Sequence, residues 1–353
     1  MTGPQPRPSV AAMPAYVAGK PAAADAFKLS SNENPYPPLP GVLEAAVTAA
    51  ASMNRYPDMG NTALYAALAE TYGVPVTDLA VATGSTGLIY GLLSAFCEPG
   101  DEVVYAWRSF EAYPIAVLAA GASSVQVPTT ADGRHDLDAI AAAIGPRTKV
   151  VLLCSPNNPT GPALTQTEVD AFLARVPDDV LVLLDEAYIE FVRIGDPVDG
   201  VATYRRHDNV AVLRTFSKAY GMAGFRVGYC IAPTSVAAAL RAVTLPFGVN
   251  LVAQAAAVAS LQARPELEER VEALVAERTR VVEAVRAAGW KIPDAQGNFV
   301  WFDLDGDRIP AFVEAAEAAG ITVRPLGTDG VRVSIGEPEG NDRLVRLAES
   351  FPH

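Results

Sequence analysis

"KVVLLCSPNNPTG" (residues 149–161) joins an unbroken apolar run to a turn that carries two prolines. No polar residue alternates within "VVLLC", so the run reads as a strand buried on both faces. The prolines fix φ, remove donors and end it. The same texture recurs outward in both directions. "LAVAT" (residues 79–83) and "EVVYA" (102–106) precede it, and "VLVLL" (180–184) and "VAVLRT" (210–215) follow, with helical patterns between them. Repeated buried strands alternating with helices predict an α/β architecture, a mostly parallel central sheet flanked by helices. "FRVGYCIA" (225–232) reads as one more strand, antiparallel because the connection before it is short.

The texture then changes. "RPELEERVEALVAERTRVVEAVRAAG" (264–289) spaces its apolar residues helically and ends on glycine, which predicts a long amphipathic helix. "GNFVWFDL" and "GVRVSIG" read as strands around the helical "IPAFVEAAEAAG", a smaller α+β arrangement. The expected division is therefore an N-terminal segment, 1–45, packing on the small domain, then a large α/β domain, 46–250, and a small C-terminal α+β domain, 251–353. A chain of 353 residues exceeds the usual size of a single core, which also favours two domains.

Half the residues are apolar and 19% charged, ordinary for a globular protein. No apolar block reaches the roughly 20 residues a spanning helix needs, so no membrane partner is expected. The proline-broken N-terminus has no signal-like apolar core. Net charge is −13, so no basic excess exists to neutralise phosphates, and no nucleic-acid partner is expected. Cys97, Cys154 and Cys230 are widely spaced and odd in number, which fits a reduced cytoplasmic setting rather than a zinc site. No metal centre is expected from three histidines.

Open α/β sheets build ligand sites at the carboxyl ends of their strands. "GSTG" (84–87) follows the first strand and opens a helix, whose N–H groups and dipole attract phosphate; alone, such a turn is as readily structural. Asn158, ahead of Pro159, is held extended, and a plain turn explains it equally well. Asp185 ends "VLVLL": either it caps a helix or, if buried, it needs a cation or hydrogen bonds. Lys218 follows "VAVLRT" in a chain with only five lysines among 27 basic residues. An apolar, small-residue surround disfavours its ammonium form and makes it a nucleophile, whereas a snorkelling lysine would reach solvent. Thr215, Ser217 and Arg226 add two hydroxyls and a guanidinium, a set suited to phosphate. Jointly the four signals describe a site for a phosphorylated, cationic, aldehyde-bearing ring, the features of pyridoxal phosphate.

"SPNNPTG", "DEAY", "TFSKAYGMAGFRVGY" and "VRVSIGEPEGN", with "LSSNENPYPPLP" near the N-terminus, resemble the fold-type I, class I/II aminotransferases over essentially the whole chain. Within them the likeness is to the histidinol-phosphate aminotransferase branch, and most of all to aromatic amino-acid (phenylalanine) aminotransferases. The resemblance implies pyridoxal 5'-phosphate as cofactor, the PLP-transferase type I fold, and a role for each matching residue. Lys218 would bond the cofactor aldehyde and carry the proton at the substrate α-carbon. Asp185 would pair with the pyridine N–H, while Asn158 and Tyr188 would hydrogen-bond the ring hydroxyl. Ser85 and Thr86 would hold the phosphate through their backbone, together with Thr215, Ser217 and Arg226. Phe110, in "WRSFEAY", aligns with an aromatic that stacks on the ring, although core packing beside Trp107 and Tyr113 also explains it. Tyr56, in "NRYPD", matches a tyrosine that reaches the neighbouring subunit's cofactor, implying a homodimer with shared sites.

The resemblance further implies that Arg332 grips the substrate α-carboxylate with its planar fork, and that Tyr16 and Asn34 line the substrate pocket. Arg324 is kept where the branch has its second arginine, which would serve a substrate phosphate or the distal carboxylate of glutamate. "GTDG" replaces the tyrosine–glycine pattern of the histidinol-phosphate enzymes. The implied reaction is transamination of an aromatic amino acid with a 2-oxo acid, 2-oxoglutarate foremost; histidinol-phosphate transamination is the alternative.

Overall fold

The computed structural model describes residues 3–352 apart from 12, 14, 16–18, 20 and 24. A two-residue strand, β1 (Phe27–Lys28), comes first, and seven strands then form one sheet. These are β2 (Leu79–Ala82), β3 (Glu102–Trp107), β4 (Ser123–Pro128), β5 (Thr148–Cys154), β6 (Leu181–Asp185), β7 (Val210–Thr215) and β8 (Gly228–Ile231). Their order across the sheet is β2-β8-β7-β6-β5-β3-β4. Neighbours pair in parallel except β8, which runs antiparallel to both β2 and β7. The short connection from β7 allows that reversal; a parallel return would need a crossover of a dozen or more residues. β8 starts three residues later than expected, because Ala223–Phe225 forms a turn of 3₁₀ helix.

Both faces of the sheet are buried. Val151, Leu153, Val182, Leu184, Val210 and Val212 point into one apolar cluster, while Val150, Leu152, Leu181, Leu183, Ala211 and Leu213 point into another. Side chains alternate across a strand, so a run can satisfy two such clusters only by being apolar at every position. β4 carries no such run. It is an edge strand, partly exposed along most of "SSVQVP", and this is why its sequence lacks the signal that marks the others.

A helix of 24 residues, Arg264–Ala287, leads to the remaining strands: β9 (Phe299–Phe302), β10 (Ile321–Thr322), β11 (Arg324–Pro325) and β12 (Val331–Ser334). β11, β12 and β9 form an antiparallel sheet, and β1 pairs with β10 in parallel. The N-terminal segment is thus tied to the C-terminal part by backbone hydrogen bonds. One apolar cluster continues from β5, β6 and β7 through the long helix into β9 and β12. Among the described residues no helix is long and apolar enough to cross a membrane.

Candidate active site

The carboxyl ends of the central strands converge on a cavity of about 230 Å³. β2 runs into the 13-residue helix Gly84–Phe96, whose first residues Ser85 and Thr86 line it. β5 leads to Asn158, β6 ends on Asp185 with Tyr188 just beyond, and β7 ends on Thr215, ahead of Ser217 and Lys218. Phe110 and Arg226 complete the wall on the large-sheet side, and Arg324 and Arg332 come across from β11 and β12.

Burial and two guanidiniums, those of Arg332 and Arg226, bear on Lys218. Its Nζ donates to the carbonyls of Asn32 (3.3 Å) and Ser31 (3.4 Å) and lies 5.6 Å from the centre of the Tyr188 ring. Burial, then the nearby Arg332 guanidinium, lower its pKa from 10.5 to about 7; Glu33 acts in the opposite sense. Near neutral pH a large fraction of this amine is therefore unprotonated and nucleophilic.

Asp185 is buried with one oxygen satisfied. The Tyr113 hydroxyl donates to Oδ2 at 2.7 Å, while the buried Oδ1 has no hydrogen-bond partner among the described residues. Burial pushes its carboxyl pKa above the usual carboxylate range, against the Tyr113 hydrogen bond that lowers it. A buried acceptor left open at the end of an apolar strand is costly unless a donor completes it. A cationic ring N–H fits that position, which answers the question Asp185 posed in the sequence: it caps no helix.

Below it, the start of helix Gly84–Phe96 is shaped around Arg226. Gly84 has φ +80°, and a Cβ there would lie 2.6 Å from Arg226 Nη2. A Cβ on Gly228 would lie 2.6 Å from the Ser85 nitrogen. The two glycines let a guanidinium and a strand press directly on the helix N-terminus, where exposed N–H groups favour an anion. Arg226 itself adopts the left-handed conformation (φ +58°) and donates to Ser217 Oγ at 3.3 Å; Thr215 Oγ1 accepts from the Ser217 N–H at 3.1 Å. Guanidinium, hydroxyls and helix N-terminus together suit a phosphate group. With the open Asp185 oxygen and the low-pKa lysine, the donor set fits pyridoxal phosphate.

Arg332 is buried and held on both sides: Nη1 donates to Asn158 Oδ1 (2.7 Å) and Nη2 to the Ser30 carbonyl (2.9 Å). That leaves the Asn158 amide NH₂ as its available donor. Asn32 donates to the Tyr188 hydroxyl at 3.0 Å. Arg324 forms an ion pair with Glu111 at 2.7 Å. Phe110 packs edge-on against Tyr113, so the same ring lines the cavity and belongs to the core behind it.

Two further expected residues do not line this cavity. Asn34 does not line the cavity; its amide donates to the backbone carbonyls of Lys218 and Ala219 and braces that turn. Tyr56 is 82% exposed and stacks on Phe247, with ring centres 4.6 Å apart. Tyr16 lies outside the described residues. Conversely, Tyr113, Asn32 and Glu111 carry no signal in the sequence that assigns them to the site. Only the distant partners they meet, Asp185, Tyr188 and Arg324, give them a place.

The family model for aminotransferases of class I and II matches residues 24–347. The chain is 56% identical over 353 residues to the aromatic amino acid aminotransferase of Streptomyces coelicolor, with 99% of this chain and 98% of that protein covered. It is 52% identical over 347 residues to the protein of the same name from Rhodococcus opacus, with 98% and 96% covered. In three dimensions it is similar to the histidinol-phosphate aminotransferase of Sinorhizobium meliloti, solved in complex with pyridoxal-5'-phosphate. That match has a TM-score of 0.90 and 28% identity, and covers 98% of this chain and 96% of the other.

Proposed function

The chain belongs to the class I and II aminotransferases, and we propose that it moves the amino group of an aromatic amino acid (phenylalanine, tyrosine or tryptophan) to a 2-oxo acid, chiefly 2-oxoglutarate. The observation that carries the reading is the meeting of Lys218 and the open Asp185 oxygen in one cavity, within a chain 56% identical to an aromatic amino acid aminotransferase. Pyridoxal phosphate, when bound, supplies an aldehyde for the amino group and a cationic ring that withdraws electrons from the substrate α-carbon.

The residues divide the remaining work. Lys218 anchors the aldehyde, and its amine, with a pKa near the working pH, takes and returns the proton at the α-carbon. Asp185 keeps the ring nitrogen protonated, and opposite charges in contact typically favour the charged form by about one to three pH units. Asn158 and Tyr188 bind the ring oxygen, and Phe110 covers one ring face. Ser85, Thr86, Thr215, Ser217 and Arg226 hold the phosphate. Arg332, pre-oriented by Asn158 and Ser30, takes the α-carboxylate in its fork. Arg324 serves the far end of the substrate, Tyr16 matches a pocket-lining position of the family, and Asn34 acts through the backbone of Lys218.

Tyr56 and Phe247 sit among other exposed apolar side chains, Met53, Met59 and Leu245. That supports a homodimer in which Tyr56 reaches the partner's cofactor. The division into 1–45, 46–250 and 251–353 accompanies this reading, and three buried cysteines without disulfides suit a reducing cytoplasm.

Histidinol phosphate is the second candidate donor, because the similar solved structure acts in that branch by name. The two are separated by kcat/KM for phenylalanine and for histidinol phosphate, each with 2-oxoglutarate. The expected order is phenylalanine first; a strong preference for the phosphate ester reverses the assignment.

A further inference from the structure

Arg324 presents a problem for an enzyme with an uncharged aromatic substrate. Its guanidinium lines the cavity and its side chain is only 7% exposed, so an unneutralised charge there would be costly beside an apolar ring. Glu111 supplies the counter-charge at 2.7 Å. It stands directly after Phe110, at the start of the helix Ala112–Ala120, and its side chain is 28% exposed. A second pair lies alongside, Arg108 Nε to Asp329 Oδ2 at 3.0 Å, with the Arg108 guanidinium 4.5 Å over the Trp107 ring. Both pairs run from the segment after β3 to β11 and the turn that follows it, so two positive and two negative charges balance there.

The two pairs are not equivalent. Arg324 lines the cavity, whereas Arg108 and Asp329 do not. Glu111 already occupies Arg324 Nη2, so a distal substrate carboxylate that takes that nitrogen displaces it. That exchange swaps one carboxylate for another on the same arginine, and the partly exposed Glu111 can turn to water, so the buried charge stays neutralised throughout.

We infer that Glu111 is a specificity-determining residue: it balances the charge of Arg324 for aromatic substrates and yields it to the distal carboxylate of a dicarboxylic amino acid or 2-oxo acid. This deepens the reading of the site as an aromatic transaminase and rests on it. Glu111 thereby sets how strongly the acidic substrate must compete for Arg324, and so the balance between the two substrate classes.

The test uses the holoenzyme and the ratio of kcat/KM for glutamate to kcat/KM for phenylalanine. Glu111→Gln keeps the shape and a hydrogen-bond acceptor but removes the charge, so the ratio should rise about tenfold, chiefly through the KM for glutamate. Asp329→Asn, whose partner does not line the cavity, should change the ratio far less. Arg324→Met provides an independent arm: it leaves Glu111 to repel an acid, and the ratio should fall at least about tenfold. A ratio that does not rise in Glu111→Gln, with phenylalanine turnover retained, overturns the role of Glu111 and leaves the transaminase reading intact. A native enzyme that does not turn over phenylalanine overturns both.

Discussion

Replacing Lys218 by methionine in the cofactor-free protein should stabilise it, and the gain should depend on pH. The amine has a pKa of about 7 in the folded chain against an ordinary 10.5. That drop corresponds to a ceiling of roughly 5 kcal/mol against the ammonium form. Solvent at the open side of the cavity screens part of it, so about 1–3 kcal/mol is the expected range. Between pH 7 and 10.5 the unfolded chain binds this proton more tightly than the folded one, so native stability climbs with pH across that window. Below pH 7 the penalty is present in full, and above 10.5 it is gone. Methionine binds no proton, so the Lys218→Met advantage should be largest near pH 6 and shrink steadily toward pH 10. The carbonyls of Ser31 and Asn32 lose a donor in the variant, but that cost does not vary with pH. Urea unfolding of both cofactor-free proteins at pH 6, 8 and 10, at constant ionic strength, measures the difference. A difference that is flat in pH, or that grows as pH rises, would show that burial does not depress this lysine and would refute the reasoning.

Asp185→Asn should raise the melting temperature of the cofactor-free protein, by about 1–2 kcal/mol of stability, because it removes a buried charge with one unmet oxygen. It should also lower kcat by roughly 10²–10³-fold, as the ring nitrogen loses its carboxylate; unchanged turnover counts against the pairing. Gly84→Ala should cost about 1–2 kcal/mol for its left-handed backbone. It should also weaken cofactor binding at least about tenfold by displacing Arg226, read by fluorescence titration. Mixing Tyr56→Ala with Lys218→Ala subunits should give turnover above the mean of the two parents, since some hybrid sites regain both residues. No gain on mixing sinks the shared site.

Much of the fold was legible because double-sided burial leaves a mark. β5, β6 and β7 face two cores at once, so every position is apolar and the run stands out. β4 was not legible, since an edge strand exposed over most of its length needs no such run. At the site, Lys218, Asp185 and Arg226 were recognisable because each breaks the composition around it: a rare lysine, a carboxylate ending an apolar strand, an arginine among glycines. Asn34 shows the limit of reading roles from position alone. The family resemblance implied the substrate pocket, while its hydrogen bonds go to the backbone of Lys218 and Ala219.

The sequence by itself determined the order of the doubly buried strands along the chain, the strand ends that carry chemistry, and the residue types suited to a phosphorylated aldehyde. These follow from local composition and spacing, which act over a few residues. Tertiary structure alone decided the partners: Tyr113 on Asp185 across 72 positions, Asn32 on Tyr188 across 156, and Glu111 on Arg324 across 213. Nothing local links such residues. Their pairing is set by which sheets and helices pack together, and burial then turns that proximity into a low-pKa lysine, an open carboxylate oxygen and a neutralised arginine.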